Sequence, residues 1–258
     1  MMTGRRNLPQ LAATGVALAA GPGREAAAQP SPRLKAFAFD AYGTLFDVYS
    51  VAALAEELFP GQGDAVSQLW RTKQIEYTWL RTMAGPDAYR TFWEVTEDGL
   101  VFTARKLGLE LTPEKRRALM EQYLRLDAFP ENLEALRELK GMGLRLAILS
   151  NGNPPMLEAA VRSAGMEGLF EALLSVDRLR RFKTVPEVYQ LAVDHFGVSA
   201  PEIGFVSSNG WDAAGAARFG FTTFWVNRAG NPPEELGVLP AATGRTLDDL
   251  VEFVKART

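Results

Sequence analysis

Three features of the sequence predict an α/β fold in which a Rossmann-like parallel sheet core carries an inserted helical cap domain. After residue 127, short apolar runs alternate with segments of helical periodicity, the pattern that places parallel strands in one sheet with helices on both faces. An isolated strand pattern at residues 34–39 lies well upstream of that series and ends on an acidic residue. Between the two, residues 51–126 show helical periodicity and no strand signal. Residues 31–50 and 127–258 are therefore assigned to the core, residues 51–126 to the cap, and residues 1–28 to an export signal.

The elements follow in order. Leu34-Lys-Ala-Phe-Ala-Phe39 is an apolar strand that stops at Asp40, and Tyr42-Gly43-Thr44 supplies a tight turn. Within the cap, Thr112-Pro113-Glu114 marks a helix start, with Thr as the cap and Pro at the first helical position. After Phe129-Pro130, residues 131–140 read as helix, 144–149 as strand, 155–164 as helix and 169–174 as a short strand. Residues 187–196 read as helix, 203–206 as strand, 211–219 as helix, 222–226 as strand and 247–255 as the closing helix.

Composition narrows the chemistry. The 258 residues contain no Cys and a single His, which removes disulfides, Fe–S clusters, thiol nucleophiles, Cys-ligated zinc and any site needing two His ligands. A Ser-His-Asp triad would need His195, which lies in the helical pattern 186–197 with no Gly-x-Ser-x-Gly turn to partner it. It reads as an ordinary surface or helix-end histidine. A hydrolase of this composition uses a carboxylate as nucleophile or base. With 28 Lys and Arg against 31 Asp and Glu, the net charge of −3 provides no basic field for nucleic acid.

The first 28 residues differ from the rest. Arg5-Arg6 precedes the weakly apolar residues 11–20, and Ala26-Ala-Ala28 follows, which is the order of a secretory signal and resembles a twin-arginine leader. The apolar stretch is shorter than a membrane span. Removal after residue 28 would leave 25 basic and 30 acidic residues, a net charge of −5, and would place the protein in the periplasm with no membrane attachment.

In an open parallel sheet, ligands bind outside the carboxyl ends of the strands. Those ends carry Asp40, then Ser150-Asn151-Gly152, then Ser207-Ser-Asn-Gly-Trp-Asp212, with the basic segment Arg178-Leu-Arg-Arg-Phe-Lys183 between the last two. Asp40, held between a strand and a turn, suits a nucleophile: attack on carbon forms an ester and splits one hard displacement into two easier steps. Asp212 lies at a helix start, where the helix dipole favours its ionised form. Lys183 can pair with Asp40 while remaining a donor to an anionic substrate. Asp47 reads as a structural cap, and Arg178, Arg180 and Arg181 as a solvated turn. From spacing alone Arg71 reads as a surface arginine of the cap.

Asp40-Ala-Tyr-Gly-Thr-Leu-Phe-Asp47, together with Ser150-Asn-Gly152, Phe182-Lys183, Ser207-Ser-Asn-Gly-Trp-Asp212 and the cap segment Leu69–Arg81, resembles the haloacid dehalogenase superfamily and, within it, the L-2-haloacid dehalogenases. The resemblance runs from about Lys35 to Asn231. It implies hydrolysis of (S)-2-haloacids to (R)-2-hydroxyacids with inversion, through an aspartyl ester on Asp40, with no cofactor and no metal. It further implies that Arg71 receives the leaving halide and that Thr44, Ser150 and Asn151 hold the nucleophile or the substrate carboxylate. Lys183 and Tyr189 match the family's lysine and tyrosine, Ser207 and Asn209 its polar loop, and Asp212 the carboxylate that positions or activates water. Tyr42, Phe92 and Trp211 resemble walls of the apolar pocket, and Ala41 joins them among the substrate-binding residues. Many relatives are homodimers through the cap, and the aromatic-rich segment 70–93 is a candidate for such a contact, although stripes of this kind are more often core.

Two departures stand out. Phe182-Lys183-Thr184-Val185-Pro186 lacks the Pro-Asp that often follows the lysine, and Thr72 replaces a commoner glutamine beside the cap arginine. Tyr42 stands where the superfamily's magnesium-dependent phosphatases place a second aspartate, which disfavours a phosphatase. Opening of a strained cyclic amino acid such as azetidine-2-carboxylate by the same displacement is the closer alternative, and a non-catalytic binding module the more distant one.

Overall fold

The computed structural model describes residues 32–257, and the leader at 1–28 lies outside the described residues. Six parallel strands form one sheet in the order β3-β2-β1-β4-β5-β6: β1 (Ala36–Phe39), β2 (Arg145–Ser150), β3 (Ala172–Ser175), β4 (Ile203–Ser207), β5 (Thr222–Val226) and β6 (Ala242–Gly244). The expected α/β architecture is observed. All four residues of β1 are buried without alternation, as a parallel strand covered on both faces requires. Phe39 pairs with Ile148 on one side and Val206 on the other, so Asp40 emerges level with the ends of both neighbours. The sheet order reverses around β1, and the crevice opens there.

Of the five α-helices between β1 and β2 in the chain, the first four fill the inserted segment: α1 (Val51–Leu58), α2 (Gly63–Met83), α3 (Phe92–Leu107) and α4 (Pro113–Gln122). Thr91 and Glu94 form a reciprocal capping box at the start of α3, and Gly108 closes it in the left-handed conformation. Thr112 accepts the Lys115 N–H at the start of α4, with Pro113 at the first helical position. Helices α2 and α3 pack along each other, closely enough that a Cβ at Gly99 would lie 3.2 Å from the Gln74 backbone nitrogen and 3.3 Å from the Trp70 ring. The remaining helices, α5 (Asn132–Gly141), α6 (Pro154–Ser163), α7 (Pro186–Phe196), α8 (Gly210–Phe219) and α9 (Leu247–Lys255), belong to the core series. Among the described residues no helix is long and apolar enough to cross a membrane.

The sequence reading needs three corrections. The strand expected at 169–174 begins at Ala172, because the Leu169 N–H bonds back to Met166 O and holds the preceding residues in a turn with Gly168 at φ +75°. Strand β6 was not anticipated: it is three residues of Ala-Thr-Gly with no apolar run, joined to β5 at the sheet edge. Arg71, expected at the surface, is only 7% exposed. It shares a helical stripe with the buried Trp70, Gln74, Ile75 and Thr78.

Candidate active site

The site is built outward from Asp40, which is 5% exposed. Its N–H bonds to Val206 O (2.8 Å), extending β1 by one residue before the chain turns. The Ala41 carbonyl then accepts the N–H groups of Thr44, Leu45 and Phe46, and Gly43 takes φ +94°, a conformation that a side chain would strain. This turn returns Thr44 to the carboxylate: its hydroxyl donates to Asp40 Oδ2 (2.9 Å) while accepting the Ser208 N–H (2.8 Å). Asn209 Nδ2 donates to the same oxygen at 2.9 Å. The other oxygen, Oδ1, accepts from Lys183 Nζ at 2.9 Å.

Lys183 is 1% exposed and links two carboxylates, since its amine also donates to Asp212 Oδ2 at 2.8 Å. Its backbone N–H is held by Asn151 Oδ1 (3.0 Å), so the end of β2 sets where the amine starts. Burial alone would push the Lys183 amine down; Asp212 and Asp40 outweigh it and hold the amine above the ordinary lysine range. Burial raises the Asp212 carboxyl, with Lys183 opposing and Asp40 adding to the rise. The Tyr189 hydroxyl donates to Asp212 Oδ1 at 2.8 Å, and burial followed by the Asp212 charge raises that phenol so that it stays neutral. The result is a buried carboxylate–ammonium–carboxylate row whose outer end is fixed by a phenol.

The cap contributes Arg71. From α2 its Nη2 donates to Tyr42 O (3.0 Å) and Asn209 Oδ1 (3.1 Å), and its Nη1 donates to Gln74 Oε1 (2.6 Å). All three acceptors are neutral, and no carboxylate pairs with Arg71 among the described residues. A cavity of about 490 Å³ adjoins this point, and its wall includes Gly43, Arg71, Asn209, Trp211, Phe129 and Arg228.

Thr44, Lys183 and Asn209 thus contact Asp40 directly; Asp212 joins through Lys183, Tyr189 through Asp212, and Arg71 through Asn209. Phe92 packs on Tyr42 with ring centroids 5.1 Å apart, and Trp211 meets Trp79 of the cap edge-on at 5.5 Å. The Tyr42 hydroxyl is buried with no protein partner among the described residues. Ser150 and Ser207 do not bond to the Asp40 side chain; each accepts the N–H two residues ahead, at Gly152 and Asn209, and shapes its own loop. Ala41 serves through its carbonyl in the turn. Asp47 caps the next turn by accepting the Tyr49 N–H, and His195, at the last turn of α7, bonds to Glu171 at 2.8 Å.

Sequence reasoning missed the supports behind this set. Asn132 Nδ2 donates to Leu45 O (3.0 Å) and Thr44 O (3.3 Å), and Arg228 reaches Glu131, Asn132 and Thr44 O, bracing the Asp40 turn from below. Gln74 and Thr96, both fully buried, hold Arg71 from within the cap. Among the described residues no group of three His, Cys, Asp or Glu side chains is placed to hold a metal ion. The gap between Asp40 and Asp212 is filled by the Lys183 amine, a donor that pairs with both.

The family of haloacid dehalogenase-like hydrolases matches residues 34–220. The chain belongs to the haloacid dehalogenase-like hydrolases. An (S)-2-haloacid dehalogenase of Pseudomonas sp. (strain YL) is 50% identical over 220 residues, covering 85% of this chain and 94% of that protein. The crystal structure of an L-2-haloacid dehalogenase superposes with a TM-score of 0.85 at 58% identity, covering 86% of this chain and 99% of that one. A third relative, the L-2-haloacid dehalogenase of Xanthobacter autotrophicus with chloropropionic acid covalently bound, gives a TM-score of 0.82 at 38% identity, covering 87% of this chain and all of that one.

Proposed function

We propose that the protein hydrolyses (S)-2-haloacids to (R)-2-hydroxyacids with inversion. The observation that carries this reading is the pairing of a buried carboxylate, Asp40, with a cap guanidinium, Arg71, whose charge is not spent on any carboxylate, the two joined by one side chain, Asn209. Asp40 attacks the α-carbon from the side opposite the halogen, the C–halogen bond breaks, and the halide leaves towards Arg71, where developing negative charge meets an uncompensated cation. Thr44, Asn209 and Lys183 hold the nucleophile in one orientation, removing rotational freedom before attack. Water then adds to the Asp40 ester carbonyl with Asp212 receiving its proton; the C–O bond to the substrate oxygen breaks as Asp212 returns that proton to it, the hydroxyacid departs, and Asp40 loses its remaining proton to solvent to regenerate the carboxylate. Lys183 offsets the negative charge that builds on the ester oxygen. Following the family resemblance, Ser150 and Asn151 near the end of β2 serve the substrate carboxylate, and Tyr42, Phe92 and Trp211 wall the alkyl group; of these, Trp211 lines the cavity beside Arg71.

The relatives are named for dehalogenation, which favours haloacids over cyclic amino acids. The Lys183 amine takes the place a cation would need between the carboxylates, so turnover proceeds without metal. The test is release of halide and hydroxyacid from separate L- and D-2-chloropropionate in EDTA. Turnover of the L form alone, yielding D-lactate, is expected; turnover of the D form, or loss in EDTA with recovery on adding magnesium, contradicts the reading.

Two finer readings accompany it. The exposed apolar side chains Leu80 and Met83 on α2 suit a homodimer through the cap, which light scattering checks. The leader 1–28 suits twin-arginine export to the periplasm, and fractionation of the native host decides it; full-length protein in the cytosol would refute export.

A further inference from the structure

We propose that Gln74 is a positioning residue for the displacement step: braced by Thr96, it aims the Arg71 guanidinium at the leaving-group side of Asp40 and, as a neutral acceptor, leaves the charge of Arg71 for the departing halide. The inference rests on the dehalogenase reading and concerns a residue that touches neither substrate nor nucleophile.

The hydrogen-bond directions allow one arrangement. The single hydroxyl proton of Thr96 goes to Phe92 O at 2.7 Å, so the oxygen can only accept from Gln74 Nε2, which lies 2.6 Å away. The Gln74 amide is thereby fixed with Oε1 towards Arg71 Nη1 at 2.6 Å; the flipped amide would set its NH₂ against a guanidinium, donor against donor. From there Arg71 donates to Asn209 Oδ1 and Asn209 donates to Asp40 Oδ2, so one directed chain runs from the interior of the cap to the nucleophile. Thr96 is itself held from both sides, because its carbonyl accepts Trp70 Nε1 at 2.7 Å and Gly99 lets α3 approach α2 closely.

Burial makes the choice of residue informative. Gln74 and Thr96 are fully buried among apolar neighbours, where an aliphatic side chain would pack without desolvating an amide. A glutamate would satisfy the same guanidinium and form a buried ion pair, but it would neutralise the cation. The other groups at this point are neutral as well: burial raises the Tyr42 phenol far above its ordinary value and pushes Tyr123 up to about 12. Arg71 is therefore held by neutral acceptors, Gln74 Oε1 from the cap and Tyr42 O and Asn209 Oδ1 from the core, which orient the guanidinium without pairing its charge with a carboxylate.

The test compares the wild type with Gln74→Glu, which keeps the shape and the acceptor towards Arg71 but adds charge and removes the donor to Thr96, Gln74→Met, which keeps volume but removes both donor and acceptor, and Thr96→Ser, which keeps the hydroxyl. Two readouts are used: bromide binding followed by tryptophan fluorescence, since Trp211 lines the same cavity as Arg71, and kcat for (S)-2-chloro- against (S)-2-bromopropionate. Gln74→Glu is expected to weaken bromide binding about tenfold and to lower kcat more for the chloro substrate, whose leaving group needs more help, with a smaller change in KM. Gln74→Met should lose less, and Thr96→Ser should stay near wild type. A structural role alone would leave the chloro-to-bromo ratio of kcat unchanged in both Gln74 variants. Bromide binding within about twofold of wild type in Gln74→Glu, with an unchanged chloro-to-bromo ratio, overturns the proposal. If that variant does not fold, the same result in Gln74→Met overturns it. Failure of the wild type to release halide would instead defeat the dehalogenase reading, while the bromide titration still tests Gln74.

Discussion

The sheet edge and the cap solve opposite electrostatic problems within a few ångströms of each other. At the sheet edge, Asp40, Lys183 and Asp212 form a buried row in which each charge has an opposite neighbour and Tyr189 fixes the end. In the cap, Arg71 is just as buried yet has only neutral partners. A compensated row holds protonation states and geometry steady; an uncompensated cation is suited to receive charge that appears only during the reaction. The difference separates Lys183, whose loss damages both fold and turnover, from Arg71, whose loss damages turnover alone.

Substitutions that break this contrast rank as follows. Asp40→Asn should reduce turnover by at least about 10³-fold, since an amide is a poor nucleophile, while circular dichroism and the melting temperature stay near wild type. Lys183→Met should be nearly as damaging to turnover and also destabilise the protein by roughly 3–5 kcal/mol in urea unfolding, because it strands two buried carboxylates. Arg71→Met should cost about 10²–10³ in kcat with little loss of stability, because its partners are neutral groups. If Arg71→Met unfolds the protein as readily as Lys183→Met, the contrast fails.

The pH profile sharpens the same comparison on a smaller scale. Water activation needs Asp212 ionised, and its carboxyl is raised, so activity is lost as pH falls through a value above the ordinary carboxylate range. Lys183 must stay protonated, and its amine is raised, so the alkaline limb lies above the ordinary lysine value. Tyr189→Phe removes a donor to ionised Asp212 and should shift the acid limb upward by up to about one unit in a kcat–pH profile; a downward shift would contradict the assignment.

These regions were not equally legible in the sequence. Asp40, Ser150 and Ser207 could be placed because strand ends in a parallel sheet share one edge, and Asp212 because it opens a helix. Lys183 stands out through its charge, in a basic segment between two polar strand-end loops. Spacing alone gives Arg71 as a surface residue, because one charged side chain on a buried helical stripe looks like noise in the periodicity until its partners, Tyr42 O and Asn209, are in place; the family resemblance is what marks it for the leaving halide. Gln74, Thr96, Asn132 and Arg228 gave no local signal at all: their roles depend on partners in other elements. Strand β6 escaped because edge pairing, rather than an apolar run, makes it a strand.

The central claim is that a carboxylate of the protein, and not water, displaces the halide. The measurement that tests it is a single turnover with enzyme in excess over (S)-2-chloropropionate in ¹⁸O-labelled water, followed by mass spectrometry of the lactate and of the peptide bearing Asp40. The account predicts label in the Asp40 carboxylate and unlabelled lactate in that first turnover; label in the lactate with none on Asp40 would mean direct attack by water and would contradict it.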